Sequence, residues 1–155
     1  MGNSEVIPDP REKDLPAGQI RLLYEHWSRL FQIEGVADAK SVHIPDLGAV
    51  AGLVSLAEFV STGFRIKFAH LNPALAAMSG LTVTDQYLDN LPEGSHLSRF
   101  LHALYHASLL YRVPTFSTLP ASEPDCGSTW QQLALPIGEQ GRASKLLIGV
   151  WRSSV

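Results

Sequence analysis
The chain has 155 residues, 45% hydrophobic and 17% charged, which is enough for one domain with a packed core and short of two comfortable ones. A formal net charge of -3 and the lack of any Lys and Arg cluster argue against a basic nucleic-acid groove. The single cysteine, Cys126, excludes an internal disulfide and a multi-cysteine metal site. No apolar run nears the roughly 20 residues of a membrane span, and the N-terminus lacks a signal-peptide core, so a soluble, cytoplasmic protein is expected.

Residues 1–15 carry Pro8, Pro10 and several charges with little to bury, and read as a mobile tail. Residues 16–35 read as an amphipathic helix. Ile20, Leu23, Tyr24, Trp27, Leu30 and Phe31 recur at spacings of three and four, Pro16 suits the first turn, and Gly35 suits the exit. Residues 36–155 form the main domain. Val36 to His43 reads as a linker, Pro45-Asp46-Leu47 as one helical turn, and Gly52 to Val60 as a strand. Ser61-Thr62-Gly63 turns it into a second strand, where Phe64, Ile66 and Phe68 alternate with Arg65 and Lys67. Strands joined this tightly form an antiparallel hairpin.

Asn72-Pro73 then starts a short helix, because Asn caps the free amides and Pro loses no hydrogen bond at the first helical position. Gly80 stops it. Asp85 to Leu88 is expected to make one turn. Ser95 caps a long helix whose buried stripe is read as Leu97, Phe100, Leu101, Leu104, Ala107, Ser108 and Tyr111. His96, Arg99, His102, His106 and Arg112 are its polar positions, and Pro114 ends it. Three strands follow, at Thr115–Leu119, Trp130–Ile137 and Lys145–Arg152, the first two separated by a loop holding Cys126. The last strand is apolar on both faces, so it is expected in the middle of the sheet with cover on each side. Strands segregated from helices indicate an α+β fold with an antiparallel sheet.

This order resembles the PAS fold, a five-stranded antiparallel sheet cupping short helices on one face. The chain is similar, more narrowly, to small single-domain bacterial PAS proteins that begin with an amphipathic helix. The segments that carry the likeness are Leu23-Tyr24-Glu25-His26-Trp27, Ile44-Pro45-Asp46-Leu47, Phe64 to Ala69, Arg112-Val113-Pro114, and the closing hairpin of Gln132 to Pro136 with Lys145 to Trp151. The resemblance implies a bacterial signalling role exercised by binding, with a protein partner it does not identify. A small organic ligand would lie between sheet and long helix, with Phe68, His70, Met78, Phe100 and Leu104 as the candidate pocket. His70 stands where the group is expected to carry a smaller residue. Leu23, Tyr24, Trp27, Leu30 and Phe31 are expected either to cover the chain's own sheet or, because the helix before the sheet commonly forms the dimer in such proteins, to be the candidate contact of a homodimer. The last strand ends near Val155, so no output domain is expected after it.

No nucleophile elbow and no Gly-rich phosphate loop occurs, so no catalysis and no resident cofactor are expected. His102 and His106 are four apart on one helix, as in zinc hydrolases, but Ala103 stands where those enzymes need Glu. A metal centre is therefore not expected. The resemblance also implies an alternative, since PAS proteins that hold haem use a His on the long helix: His96, His102 and His106 are candidates by position, with His102 and His106 the axial ligands named for it, against their plainer reading as solvated surface residues. Cys126 has the acidic neighbours Glu123 and Asp125, which oppose thiolate formation, and reads as an inert thiol.

Overall fold
A computed structural model describes residues 5–16, 18–34, 37–38, 48, 51–60, 65–82, 87–91, 95–120, 128–139 and 142–154. In chain order the elements are β1 (Glu5–Pro8), α1 (Gln19–Glu34), β2 (Ala37–Asp38), β3 (Val54–Val60), β4 (Arg65–His70), α2 (Pro73–Ser79), α3 (His96–Tyr111), β5 (Thr115–Pro120), β6 (Ser128–Glu139) and β7 (Arg142–Ser154). A single turn of 3-10 helix, Leu88–Asn90, precedes α3. The expected turn at Pro45–Leu47, the hairpin tip with Phe64, and the loop with Cys126 lie outside the described residues.

Five strands run in the order β5-β6-β7-β3-β4, every neighbouring pair antiparallel. With α2 and α3 packed on one face this is the PAS-like α+β arrangement. β7 lies at its centre between β6 and β3, as its two apolar faces require. Leu146, Ile148 and Val150 join the core under α2 and α3, while Leu147 joins a second core under α1. The alternating side chains of one strand thus hold both layers of helix.

Two short strands extend this frame. Residues 1–15 are not simply a tail: Glu5–Pro8 pairs antiparallel with β5, and Asp9 donates its amide to the Pro114 carbonyl at 2.8 Å. All four side chains of β1 are exposed, so its attachment is made by backbone hydrogen bonds that composition does not reveal. The stretch read as a linker holds β2, which runs parallel to β6 at Ile137 and Gly138, past the end of β5.

The amphipathic helix α1 packs on the outer face of its own sheet. Ile20, Leu23 and Trp27 are buried with Leu133, Leu135, Ile137 and Leu147, and Trp27 donates its indole N–H to the Pro136 carbonyl at 2.8 Å. Leu23 sits directly over Gly149 of β7, where no side chain stands in its way. The Arg21 guanidinium ties the start of the helix to the Leu15 carbonyl at 2.6 Å. Of the two roles expected for this face, Leu23 and Trp27 serve as cover for the chain's own sheet, since both are buried in the intramolecular core. Tyr24 is half-buried beside Trp27, with ring centroids 5.7 Å apart. The side chains of Leu30 and Phe31 lie outside the described residues.

Candidate functional site
The concave side of the sheet meets the helices in a core of Ile66 and Phe68 from β4, Leu75 and Met78 from α2, and Leu101, Leu104 and Tyr105 from α3. The junction from β4 into α2 is fixed by Asn72, which is buried and fully used. Its side-chain oxygen accepts the Ala74 amide at 2.9 Å, its side-chain nitrogen donates to the Gly52 carbonyl at 2.7 Å, and its own amide donates to Ser55 Oγ at 2.8 Å. Asn72 is thus a helix cap and also a tie between α2 and the chain entering β3. Gly80, at φ 87°, ends α2 in the left-handed conformation that glycine adopts without strain.

Of the residues expected to form a pocket, Phe68, Met78 and Leu104 are packed in this core and Phe100 lies half-buried against it. His70 is elsewhere. The register between β3 and β4 slips by one residue: Leu56 opposes His70, while Ala57 opposes Phe68. This bulge breaks the alternation after Phe68 and leaves His70 exposed, opposite Leu56, which packs on the α1 side of the sheet. His70 is therefore not beside Met78, Phe100 and Leu104.

A cleft of about 350 Å³ opens at the mouth of the cup. One wall is the C-terminal end of α2, Ala77 to Gly80. His96 and Leu97 of α3 form another, and Leu119, Pro120 and Trp130 supply the sheet side. Only Met78 among the expected pocket residues borders it. The wall is mainly apolar. Ser79 turns its hydroxyl inward to the Leu75 carbonyl at 2.7 Å, so it offers little to a guest. His96 is exposed, stacks loosely on Phe100 at 6.4 Å, and makes no hydrogen bond among the described residues. Trp130 is half-buried, with the Arg152 guanidinium 5.5 Å from its ring centre. His96 and Trp130 stand 34 residues apart with the rest of α3 and β5 between them, so their pairing is made by tertiary packing and leaves no local sequence signal.

Two polar groupings surround the core. Beneath α3, the buried Tyr105 hydroxyl donates to the Gln132 side-chain oxygen, and Gln132 donates to Ser117 Oγ at 3.2 Å. Burial pushes the Tyr105 phenol far above its usual value, so it acts as a fixed donor. On the surface, Arg65 Nε donates to Asp89 Oδ2 at 2.7 Å, and its guanidinium lies 3.8 Å over the Tyr87 ring. Chiefly through the Arg65 hydrogen bond, and also through His102, the Asp89 carboxyl is held below the usual carboxylate range. The His102 ring lies between the Ser98 carbonyl (Nδ1, 2.8 Å) and the second Asp89 oxygen (Nε2, 3.1 Å). Both ring nitrogens are thereby engaged, which opposes the alternative in which His102 binds haem iron. The His106 ring meets Phe59 edge-on at 5.3 Å and His102 at 6.1 Å. Among the described residues no group of three His, Cys, Asp or Glu is placed to hold a metal ion, and no helix is long and apolar enough to cross a membrane.

No protein-family model matches the chain, and no curated protein matches it. Among solved structures it is similar to an RNA-binding light-oxygen-voltage receptor, at 13% identity and a TM-score of 0.43. The match covers 99% of this chain and 38% of that one, so the chain spans well under half the receptor's length.

Proposed function
We propose that the chain is a non-catalytic sensory or regulatory module of PAS type, which takes a small, mostly apolar planar molecule in the cleft at the mouth of its cup and passes its state to a protein partner. The observation that carries this reading is the cleft itself. A wall of Met78, Leu97, Leu119 and Trp130 interrupted by one imidazole, His96, suits an aromatic guest with a single polar edge. Its volume of about 350 Å³ falls at the small end of the range of ligand pockets. The guest would touch α2, α3, β5 and β6 at once, so its binding would couple elements that otherwise meet only through the core. The bacterial and cytoplasmic setting belongs to the same proposal and rests on the sequence resemblance alone.

The test is native mass spectrometry of the purified protein, followed by thermal shift with a panel of small aromatic acids and heterocycles. A guest present at 100 times its dissociation constant stabilises the fold by about 2.7 kcal/mol. The expected result is a stabilising compound whose effect is lost in Trp130→Ala and weakened in His96→Ala. If no panel member shifts the wild type and no small molecule co-purifies, the sensory reading loses its support.

A further inference from the structure
The strand β1 is held to the fold by its backbone. Its four side chains are exposed, Val6 and Ile7 among them, and among the described residues neither hydrophobic core includes any of it. The register pairs Glu5 with Thr118 and Ile7 with Phe116, and Asp9 extends it to Pro114, whose carbonyl accepts the Asp9 amide at 2.8 Å. Antiparallel pairs alternate between bonded and non-bonded, so these three pairs carry the hydrogen bonds, while Val6 and Pro8 turn their backbone groups away from β5. Pro8 therefore loses nothing toward β5, and its missing N–H blunts the outer edge against a further strand.

Just past β1 the chain is anchored. Pro10 and Leu15 are buried, and Glu12–Asp14 forms a turn of 3-10 helix between them. The joint between the exposed strand and this anchor is Asp9, at φ 47°. Left-handed backbone strains any residue with a side chain, Asp less than most. An extended Asp9 would carry Glu5–Pro8 off its own β5 without breaking a contact of either hydrophobic core. The edge left behind presents the Pro114 carbonyl and the backbone groups of Phe116 and Thr118, at the spacing that the segment from Glu5 to Asp9 satisfies. A second copy carries that same segment.

We infer that the edge of β5, from Pro114 to Thr118, accepts Glu5–Pro8 of a second copy of this chain, the two copies exchanging their first strands reciprocally about a two-fold axis. The register within one chain is the argument for that occupant: the exchanged pair makes the same bonds, and Asp9 sheds its left-handed turn. Pro8 on the outer edge keeps the pair closed, since no third strand is invited to add. The tether gives the intramolecular strand an effective concentration on the order of millimolar, so the exchanged dimer is a minor species in dilute solution and grows with concentration. It leaves α1 on its own sheet and does not depend on the cleft holding a guest.

A disulfide trap tests this, because it accumulates a minor species. Glu5→Cys and Thr118→Cys, each in a Cys126→Ser background, oppose one another in the register, and Cα atoms of such a bonded pair stand about 5.5 Å apart, within disulfide range. The double variant in dilute solution is expected to close within one chain, which checks both register and folding. The two single variants, mixed at millimolar concentration and oxidised, are expected to link position 5 of one chain to position 118 of another several-fold more than like positions link. Leu22→Cys, on the exposed side of α1, should give no such excess when it replaces Thr118→Cys. Asp9→Gly adopts the left-handed turn without strain and should lower the 5-to-118 yield several-fold, whereas Asp9→Val resists that turn and should raise it. A double variant that folds by circular dichroism but does not close, a 5-to-118 yield no greater than with Leu22→Cys, or a yield that neither Asp9 variant moves would each overturn the proposal.

Discussion
Gly149→Ala probes the attachment of α1 with the smallest possible change. Gly149 lies mid-strand in β7, opposite Val54 of β3 and Leu133 of β6, so its backbone is held on both sides. A methyl group there would stand 2.4 Å from Leu23 Cδ2 and 3.9 Å from Ile20 Cδ1. No contact that short survives, and Leu23 is fully buried, so its side chain has little room to turn away. Two effects oppose each other. Alanine is favoured over glycine within a strand by roughly 0.5–1 kcal/mol, whereas overpacking a filled core costs roughly 1–3 kcal/mol. The steric term wins, and the net loss is expected to be about 1–2 kcal/mol.

At roughly 2–4 °C per kcal/mol for a chain of this size, the melting temperature should fall by several degrees. Urea denaturation of Gly149→Ala, Leu23→Ala and the double variant completes the measurement. Leu23→Ala alone should cost about 2–5 kcal/mol by opening a cavity. The new methyl then occupies part of that cavity, so the double variant should be more stable than the sum of the two losses by about 0.5–3 kcal/mol. A neutral or stabilising Gly149→Ala with strictly additive energies would show that Leu23 does not rest on Gly149.

Trp27→Phe keeps most of the apolar bulk but removes the donor to the Pro136 carbonyl, and equilibrium denaturation should register a loss of about 1–3 kcal/mol from that buried acceptor. Asn72→Ala removes the cap of α2 together with the bond to Gly52, and a loss toward the upper end of the roughly 0.5–2 kcal/mol range for helix caps is expected by the same assay. The Asp89 contribution is present above the unfolded carboxylate value of about 3.9 and fades as the pH falls through its lower folded value. Wild type and Asp89→Asn should therefore differ in urea midpoint at pH 6, by no more than about 1 kcal/mol because the pair is exposed, and converge in strong acid. At the other end of the scale, the raised value of Tyr105 means that stability is held up to the unfolded phenol value of about 10 and declines above it. Ultraviolet titration should show one tyrosine ionising only as the protein unfolds, and Tyr105→Phe should abolish that step.

What the residues disclosed and what they concealed follows from the range over which each interaction acts. The cap at Asn72, the stop at Gly80 and the cap at Ser95 are set by neighbours a few positions away, and all three were legible in the sequence. The central place of β7 was legible too, because a strand apolar on both faces has nowhere else to go. His70 was misplaced because period-two reasoning has no term for a bulge, and the slip at Ala69 is decided by pairing with β3. The cleft was hidden for the same reason, since His96 and Trp130 are joined only by tertiary packing. β1 escaped notice because strand pairing through the backbone leaves no mark on side-chain composition.

The long helix is the instructive case. Its stripe, read from spacing alone, joined the buried Leu101, Leu104 and Ser108 with the exposed Tyr111, and it omitted Tyr105. Tyr111 stands two turns beyond the buried Leu104, so spacing assigns it to the same face, yet it is exposed at the end of the helix. Tyr105 was assigned to neither face, yet it lies wholly buried, because Gln132 accepts its hydroxyl and is itself tied to Ser117 within the sheet. Tyr105 belongs with Leu101, Leu104 and Ser108 on the sheet-facing arc, and Phe100 packs at the edge of the same core.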